Sequence, residues 1–152
     1  MSADALVFVD TNVFVYASDA SEGDKQTQAS KWIDELWATK QGRVSTQVLN
    51  EYYVTVTRKL QPGLSRAEAR SEIDDLTAWK PLRNDRALMT EAWAVEDRHG
   101  LSWWDSLIVA AAQRLGCGYL LTEDLGAGQD LDGLKIIDPF VNSPIDFDTM
   151  RS

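Results

Sequence analysis

The sequence predicts an α/β fold with a central parallel sheet and helices packed on its faces. Short apolar strands alternate with longer amphipathic helices along the whole chain. The 152 residues fit one domain, and the 44% hydrophobic and 26% charged shares are ordinary for a globular protein. We predict one domain over residues 1–141, followed by a polar tail at residues 142–152.

Capping residues and apolar runs define the first half of the chain. The predicted elements are a strand at 6–9, a helix at 13–17, a helix at 25–39, a short strand at 43–45 and a helix at 46–60. Asp10, Thr11 and Asn12 supply helix-capping side chains directly after the first strand. Gly42 is expected to end the second helix.

The second half contains the most apolar helix of the chain. The predicted elements are helices at 65–79, 85–99 and 102–115, a strand at 119–121, a polar loop at 126–133 and a strand at 135–137. Ser65 and Glu68 have the spacing of a capping box. The run at 107–112 is uninterrupted by polar residues, so its helix should be buried on all sides.

Composition excludes several classes of protein. No apolar run approaches the ~20 residues that a membrane-spanning helix needs. The one cysteine, Cys117, excludes an internal disulfide framework and favours a reducing compartment, so we expect a cytoplasmic protein. The net charge of −9 argues against a simple nucleic-acid binder with a basic face. Acidic residues concentrate in 1–39 and 101–152, and a carboxylate-rich pocket would form if these segments met.

Four carboxylates occupy positions where folding could gather them. Asp10 and Asp124 follow two strands, and the carboxyl ends of parallel strands share one edge of the sheet. Asp105 lies in the first turn of the most apolar helix, and Glu51 faces away from the apolar stripe of its own helix. Carboxylates in one pocket repel each other unless they hold cations, and Mg²⁺ or Mn²⁺ favours such oxygen ligands.

Each acid also has an ordinary structural interpretation. Asp10 and Asn12 are common helix caps, and Asp105 resembles the acidic member of a capping box with Ser102. Glu51 alone fits a solvated helix position, and Asp124 alone fits a turn. The prediction of a metal site therefore depends on all four acids taken together.

Other catalytic motifs are poorly supported. His99 ends a helix, no serine lies in a G-x-S-x-G turn, and Cys117 fits a small packing residue. Zinc-binding and nucleotide-binding motifs are lacking in the sequence. Helical spacing places Trp32, Trp37, Trp79 and Trp93 in the core. Of the adjacent Trp103 and Trp104, we expect one to pack inward and the other to face a partner or a base.

Four segments resemble PIN-domain proteins, and more narrowly the VapC-type toxins of bacterial toxin–antitoxin pairs. These segments are Phe8-Val9-Asp10-Thr11-Asn12-Val13, Asn50-Glu51, Leu101-Ser102-Trp103-Trp104-Asp105-Ser106-Leu107-Ile108 and Leu120-Leu121-Thr122-Glu123-Asp124-Leu125. The resemblance extends from about residue 6 to residue 140. It implies a three-layer α/β/α sandwich and an endoribonuclease that depends on Mg²⁺ or Mn²⁺ and acts on tRNA or other structured RNA.

The resemblance also implies roles for individual residues. Asp10, Glu51, Asp105 and Asp124 would form the catalytic and metal-binding quartet, supported by Thr11, Asn12 and Thr122. Thr122 matches a T-x-D spacing that favours Asp124 as the fourth acid, although Glu123 and Asp130 stay open. The partners would be the RNA substrate, a small antitoxin protein and a second copy of the chain.

Four cationic side chains in the middle of the sequence are candidates for binding RNA phosphates. Arg58 and Lys59 follow Glu51 on the same predicted helix, and Arg66 and Arg70 lie on the next one. These four residues could contact phosphate groups.

Two alternatives remain open from the sequence. A phosphatase of the haloacid-dehalogenase type also uses an aspartate after its first strand, but it needs a second aspartate where Asn12 stands. A non-catalytic binding module of the same fold is the other alternative.

Overall fold

A computed structural model describes residues 5–146 of the chain. The strands are β1 (Val7–Val9), β2 (Gly42–Arg43), β3 (Tyr119–Leu121), β4 (Asp130–Leu131) and β5 (Leu134–Ile137). The α-helices are α1 (Thr11–Ala17), α2 (Asp24–Thr39), α3 (Thr46–Val54), α4 (Arg66–Asp75), α5 (Arg86–His99) and α6 (Trp103–Arg114). A π-helical turn, Thr55–Lys59, continues α3, and 3₁₀ turns occupy Ala20–Glu22 and Leu76–Trp79.

The strands form one mostly parallel sheet in the order β2-β1-β3-β5-β4. Neighbouring strands β2, β1, β3 and β5 run parallel, and helices flank the sheet, which confirms the predicted fold class. The edge strand β4 is antiparallel to β5 and lies within the segment predicted as a loop at 126–133. Two paired residues are too few to give a period-2 pattern, so the sequence carried no signal for this strand.

The register of the sheet brings the ends of β1 and β3 side by side. Val9 pairs with Leu121, and the Asp10 N–H donates to the Leu121 carbonyl oxygen at 3.0 Å. Asp10 and Thr122 therefore leave the sheet at the same edge. Because β1 is buried and lies between β2 and β3, the backbone of Asp10, the first residue after β1, has a fixed position.

Side-chain caps start the helices where the sequence predicted them. Asp10 accepts from the Thr11 N–H, and Ser65 with Glu68 forms the full capping box of α4. The Ser102 side chain accepts from the Asp105 N–H at the start of α6. These bonds satisfy backbone donors that have no partner within the helix.

Gly42 does not end the second helix as predicted. Helix α2 ends at Thr39, where Lys40 adopts the left-handed conformation with a φ of 61°. Gly42 instead lies in β2 beneath the Trp79 ring, and a β-carbon built at Gly42 would lie 2.5 Å from the nearest ring atoms. The glycine is therefore required by close packing.

The tryptophan prediction is correct for two residues and wrong for two. Trp32 and Trp79 are buried, whereas Trp37 and Trp93 are 38% and 42% exposed. Trp37 lies over the outer side of Trp79 with ring centroids 5.3 Å apart, and the Arg86 guanidinium covers Trp93. Helical spacing identifies residues on a shared face but does not give the depth of that face.

The tail predicted at 142–152 lies only partly within the described residues. Trp32 donates from Nε1 to the Asn142 carbonyl oxygen at 2.9 Å, which ties the start of this segment to α2. The proposed division at residue 141 therefore stays a prediction. Between residues 5 and 146, no helix has both the length and the hydropathy to cross a bilayer.

Candidate active site

Asp10 lies at the centre of a hydrogen-bond network at the end of β1. The Thr11 N–H donates to Asp10 Oδ1 at 2.7 Å, and the Thr122 hydroxyl donates to Asp10 Oδ2 at 2.9 Å. Asn12 Nδ2 also approaches Asp10 Oδ2, at 3.3 Å. Asp10 is buried, and hydrogen-bond donors of the protein orient both of its carboxylate oxygens.

Asn12 links this network to the segment that follows β3. Its Nδ2 donates to Asp124 Oδ2 and to Thr122 Oγ1, both at 3.1 Å. Its Oδ1 accepts from the Glu123 N–H at 3.2 Å. The Asn12 amide therefore links Asp10, two residues before it, to Asp124, which lies 112 residues further along the sequence.

The neighbours of Asp124 have other contacts. Glu123 forms an ion pair with Lys25 at 3.0 Å and accepts from the Tyr16 hydroxyl at 3.1 Å. Asp130 accepts from the Gly133 N–H in the turn between β4 and β5. Of these three carboxylates, that of Asp124 is the one that accepts a hydrogen bond from the Asn12 amide.

Asp105 and Glu51 reach the same region from two helices. Asp105 lies in the first turn of α6, where the Ser102 cap fixes its backbone, and Glu51 is exposed on α3. Burial raises the pKa values of Glu51 and Asp124, and the charge of Asp105 raises both further. This effect requires the carboxylates to be close in space.

Burial and the charges of neighbouring acids oppose the ionisation of Asp10, Glu51 and Asp124. Burial raises the pKa of Asp10 to about 6, and the nearby charges of Asp124 and Glu51 add to this, although the bonds from Thr11 and Thr122 oppose it. Removal from water likewise raises the pKa values of Glu51 and Asp124 above their usual range. The four acids therefore form one electrostatic cluster, and no ion pair in the described part of the chain joins any of them to a cation.

The donor set fits a hard divalent cation. Asp10 Oδ2 and Asp124 Oδ2 both face the Asn12 amide, whose partial positive charge lies where a cation would relieve their repulsion. Within residues 5–146, no three acidic, histidine or cysteine side chains are already arranged around one ion position. Binding would therefore require the exposed carboxylates Glu51 and Asp124 to adjust their rotamers.

The supporting residues differ in how they contact the cluster. Thr122 and Asn12 act through their side chains, whereas Thr11 acts through its backbone N–H. Thr11 Oγ1 is buried and has no hydrogen-bond partner among the described residues. The sequence offered no means of separating these roles.

The four predicted phosphate-binding cations form no ion pair with the four acids in the described part of the chain. Arg58 and Lys59 are exposed on the π-helical turn, and Arg66 and Arg70 are exposed on α4. Arg70 donates to the Tyr53 hydroxyl at 3.2 Å.

Sequence reasoning missed two residues beside the cluster. Lys25 pairs with Glu123 across 98 residues of sequence, and the nearby Gln47 side chain opposes the effect of burial, which raises the pKa of Glu51. Lys25 has no distinguishing local pattern. Gln47 lies one turn before Glu51 and could have been found from that spacing.

A comparison with known families identifies the fold family. A family model described as PIN domain matches residues 7–128, which include all four acids. The chain belongs to the PIN-domain family. No curated protein matches this PIN-domain chain.

Solved structures of low sequence identity share its fold. A toxin–antitoxin complex from Klebsiella pneumoniae is 18% identical, with a TM-score of 0.62 and coverage of 88% of this chain and 97% of that one. VapC20 from Mycobacterium tuberculosis, described as a sarcin-ricin loop cleaving toxin, is 24% identical, with a TM-score of 0.54 and coverage of 75% and 86%. VapBC2 from Rickettsia felis, bound to a promoter DNA fragment, is 16% identical, with a TM-score of 0.56 and coverage of 86% and 96%.

Proposed function

We propose that this PIN-domain protein is a metal-dependent endoribonuclease and the toxin of a toxin–antitoxin pair. The observation that carries the proposal is the electrostatic cluster of Asp10, Glu51, Asp105 and Asp124, which come from four separate elements. A carboxylate cluster without an internal cation is destabilising for the fold, so a function that uses it explains why it exists.

Asp10, Asp105, Asp124 and Glu51 would hold Mg²⁺ or Mn²⁺. Such an ion lowers the pKa of water and stabilises negative charge on phosphoryl oxygens when it is bound. The chain's own contribution is orientation. Thr122 and the Thr11 N–H fix the two oxygens of Asp10, and Asn12 fixes Asp124 relative to it. The Gln47 amide lies beside Glu51 at the rim.

Substrate phosphates need positive charge that the acids do not supply. Arg58 and Lys59 extend from the same helical run as Glu51, and Arg66 and Arg70 follow on α4. We assign these four residues to contacts with the RNA backbone beyond the scissile bond. Phosphate contacts position a nucleic acid without reading its sequence.

The partners are part of the proposal. Toxin–antitoxin complexes are among the structures that share the fold, which supports a small antitoxin protein as partner. A structural neighbour described as a toxin that cleaves the sarcin-ricin loop supports structured RNA, including tRNA, as the substrate class. We further propose a homodimer in the cytoplasm.

The phosphatase alternative has no structural support. Asn12 stands at the position of the second aspartate, and its amide donates to Asp10 instead of exchanging a proton with a leaving group. Measurements of Mn²⁺ binding and RNA cleavage distinguish the non-catalytic module from the nuclease.

The test compares Asp10→Asn with Asp97→Asn, which removes the same charge from an exposed position on α5. Purified proteins are incubated with total RNA in Mn²⁺, and calorimetry measures Mn²⁺ binding. We expect the parent and Asp97→Asn to bind Mn²⁺ and to generate new RNA ends, and Asp10→Asn to do neither. Cleavage by Asp10→Asn at the parent rate would overturn the nuclease, and a parent that gives no binding heat would favour the non-catalytic module.

Induced expression provides the cellular test of the toxin assignment. We expect growth arrest with new RNA termini, relieved by co-expression of the neighbouring small open reading frame and abolished by Asp10→Asn. Unchanged growth with active purified enzyme would leave a ribonuclease but remove the toxin role.

A further inference from the structure

A mostly apolar groove lies directly beside the acid cluster. Its cavity volume is about 680 Å³, and it runs between the beginnings of α3, α5 and α6. Its walls include Trp104, Leu107 and Met89, together with the polar side chains of Gln47, Asn50 and Glu51. Because Glu51 belongs to both the groove and the quartet, the groove is continuous with the candidate active site.

Trp104 is the most exposed aromatic side chain of the described residues. It is 63% exposed and immediately precedes Asp105, whereas Trp103 is partly buried against the core. This confirms the prediction that the two tryptophans face different environments. The Trp104 indole remains in contact with water next to a proposed catalytic acid. This exposure has a free-energy cost that packing among the described residues does not offset.

A chain of amide hydrogen bonds fixes the backbone that presents Trp104. Gln47 Nε2 donates to the Trp104 carbonyl oxygen at 3.4 Å, and Asn84 Nδ2 donates to Gln47 Oε1 at 3.3 Å. Gln47 lines the groove beside Glu51, four residues before it on α3. The backbone of Trp104 is therefore tied to the helix that carries an acid of the quartet.

Asn50 adds a hydrogen-bond acceptor to the groove. Its Nδ2 donates to the Thr46 carbonyl oxygen at 3.0 Å, which orients the amide. Its Oδ1 has no hydrogen-bond partner in the described part of the chain, and the residue is exposed. A flat aromatic surface with a nearby acceptor suits a heteroaromatic ring that carries an exocyclic amine.

The charge of the protein favours a base over a phosphate at this position. Glu51 lines the groove, no cation is among its described lining residues, and the net charge of the protein is −9, so a phosphate in the groove would be repelled. A neutral nucleobase avoids this repulsion and gains stacking energy.

We propose that the groove binds one unpaired nucleobase beside the scissile phosphodiester, with Trp104 as its stacking platform and Asn50 as a polar contact. The inference rests on the proposed ribonuclease function and adds a specificity determinant to it. A base within a duplex is already stacked, so cleavage requires an unpaired nucleotide at this position.

The test uses Trp104→Ala, Trp104→Phe and the matched control Trp93→Ala, which removes an exposed indole outside the groove. Cleavage of a short single-stranded RNA is measured in Mn²⁺. Base–aromatic stacking of about 1–3 kcal/mol converts to a roughly 5- to 150-fold rise in KM for Trp104→Ala. We expect Trp104→Phe to restore most of the loss and Trp93→Ala to match the parent.

An abasic scan shows whether a base is the occupant. The RNA is made with one abasic nucleotide at each position around the cleaved bond. At one position, the abasic substitution should raise the KM of the parent and leave that of Trp104→Ala unchanged. If the two effects add at every position, Trp104 does not stack on a base and the proposal is overturned.

A binding arm separates failure of this inference from failure of the proposed function. The same RNA is titrated against Asp10→Asn with and without Trp104→Ala. Absence of Mn²⁺-dependent RNA cleavage by the parent overturns the ribonuclease and the base site together. Equal RNA binding by both proteins overturns the base site and leaves the ribonuclease unaffected. The base site is also overturned if Trp104→Ala changes the oligomeric state and leaves KM unchanged. That result would assign the groove to a second copy of the chain.

Discussion

Lys25 and Glu123 form an ion pair at 3.0 Å that gives two adjacent acids different surroundings. The Lys25 ammonium also lies 4.8 Å from the Tyr16 ring centroid, and the Tyr16 hydroxyl donates to Glu123. Glu123 is therefore held on the side of α2, while Asp124 turns toward Asn12. Because the ion pair is partly exposed, it contributes more to the orientation of the Glu123 side chain than to the free energy of unfolding.

The different surroundings predict unequal effects of two neighbouring substitutions. Asp124→Asn should lower RNA cleavage by more than the roughly 10- to 100-fold typical of residues behind a metal ligand, because it removes the charge of a proposed ligand. Glu123→Gln should lower it by less than that range, since Glu123 contacts Lys25 and Tyr16. Cleavage rates over a range of Mn²⁺ concentrations measure both. Equal losses would contradict the assignment of Asp124 as the fourth acid.

The Thr122 hydroxyl should matter for both stability and metal affinity. It donates to Asp10 and accepts from the Asp124 N–H and from Asn12, so Thr122→Val leaves buried polar groups unpaired. We expect a loss of about 1–3 kcal/mol in unfolding free energy. We also expect Mn²⁺ affinity to fall by roughly 10- to 100-fold.

Thr122→Ser is the matched control for this position because it keeps the hydroxyl and removes only a methyl group. Urea unfolding and Mn²⁺ calorimetry should place Thr122→Ser near the parent. If serine loses as much metal affinity as valine, the methyl contact rather than the hydroxyl orients Asp10.

Local signals predicted the parts of the fold that position the site. Asp10 and Ser102 could be recognised as caps, and the apolar strands before Asp10 and Thr122 could be recognised as buried. Parallel strand ends share an edge, so the meeting of Asp10 with Asp124 followed from topology. These features depend on interactions within one turn or one strand.

Contacts between distant segments could not be predicted in the same way. The Lys25–Glu123 pair depends on where α2 crosses the end of β3, and β4 depends on a two-residue pairing with β5. The exposure of Trp37 and Trp93 depends on how deeply their helices pack. Each outcome is decided by tertiary packing, which local propensity does not encode.

Close packing at Gly42 predicts a stability effect that is independent of the active site. A β-carbon there would overlap the Trp79 ring, whereas one at Gly118 would meet Ala5 at an ordinary 3.5 Å. Gly42→Ala should therefore cost about 1–3 kcal/mol of unfolding free energy, as overpacked cores do. Gly118→Ala should cost much less. Equal midpoints in urea for the two variants would show that Trp79 moves aside freely.

The raised pKa of Asp10 predicts how the metal-free protein responds to pH. Between its usual value of 3.8 and about 6, the folded state holds a proton on Asp10 that the unfolded state has released. Stability therefore falls as pH rises through this window, by about 3 kcal/mol for this carboxyl. The raised pKa values of Glu51 and Asp124 also make the free energy of unfolding fall as pH rises.

Asp10→Asn should remove this contribution because its side chain cannot ionise. In the presence of a chelator, the variant should unfold at a higher urea concentration than the parent at about pH 7.5, with the difference shrinking toward about pH 4. Adding Mn²⁺ at neutral pH should stabilise the parent and leave the variant unchanged, since a ligand stabilises only the state that binds it. A parent and variant with the same pH dependence in chelator would mean that Asp10 is already compensated within the fold, and the cluster would then have no electrostatic need for a cation.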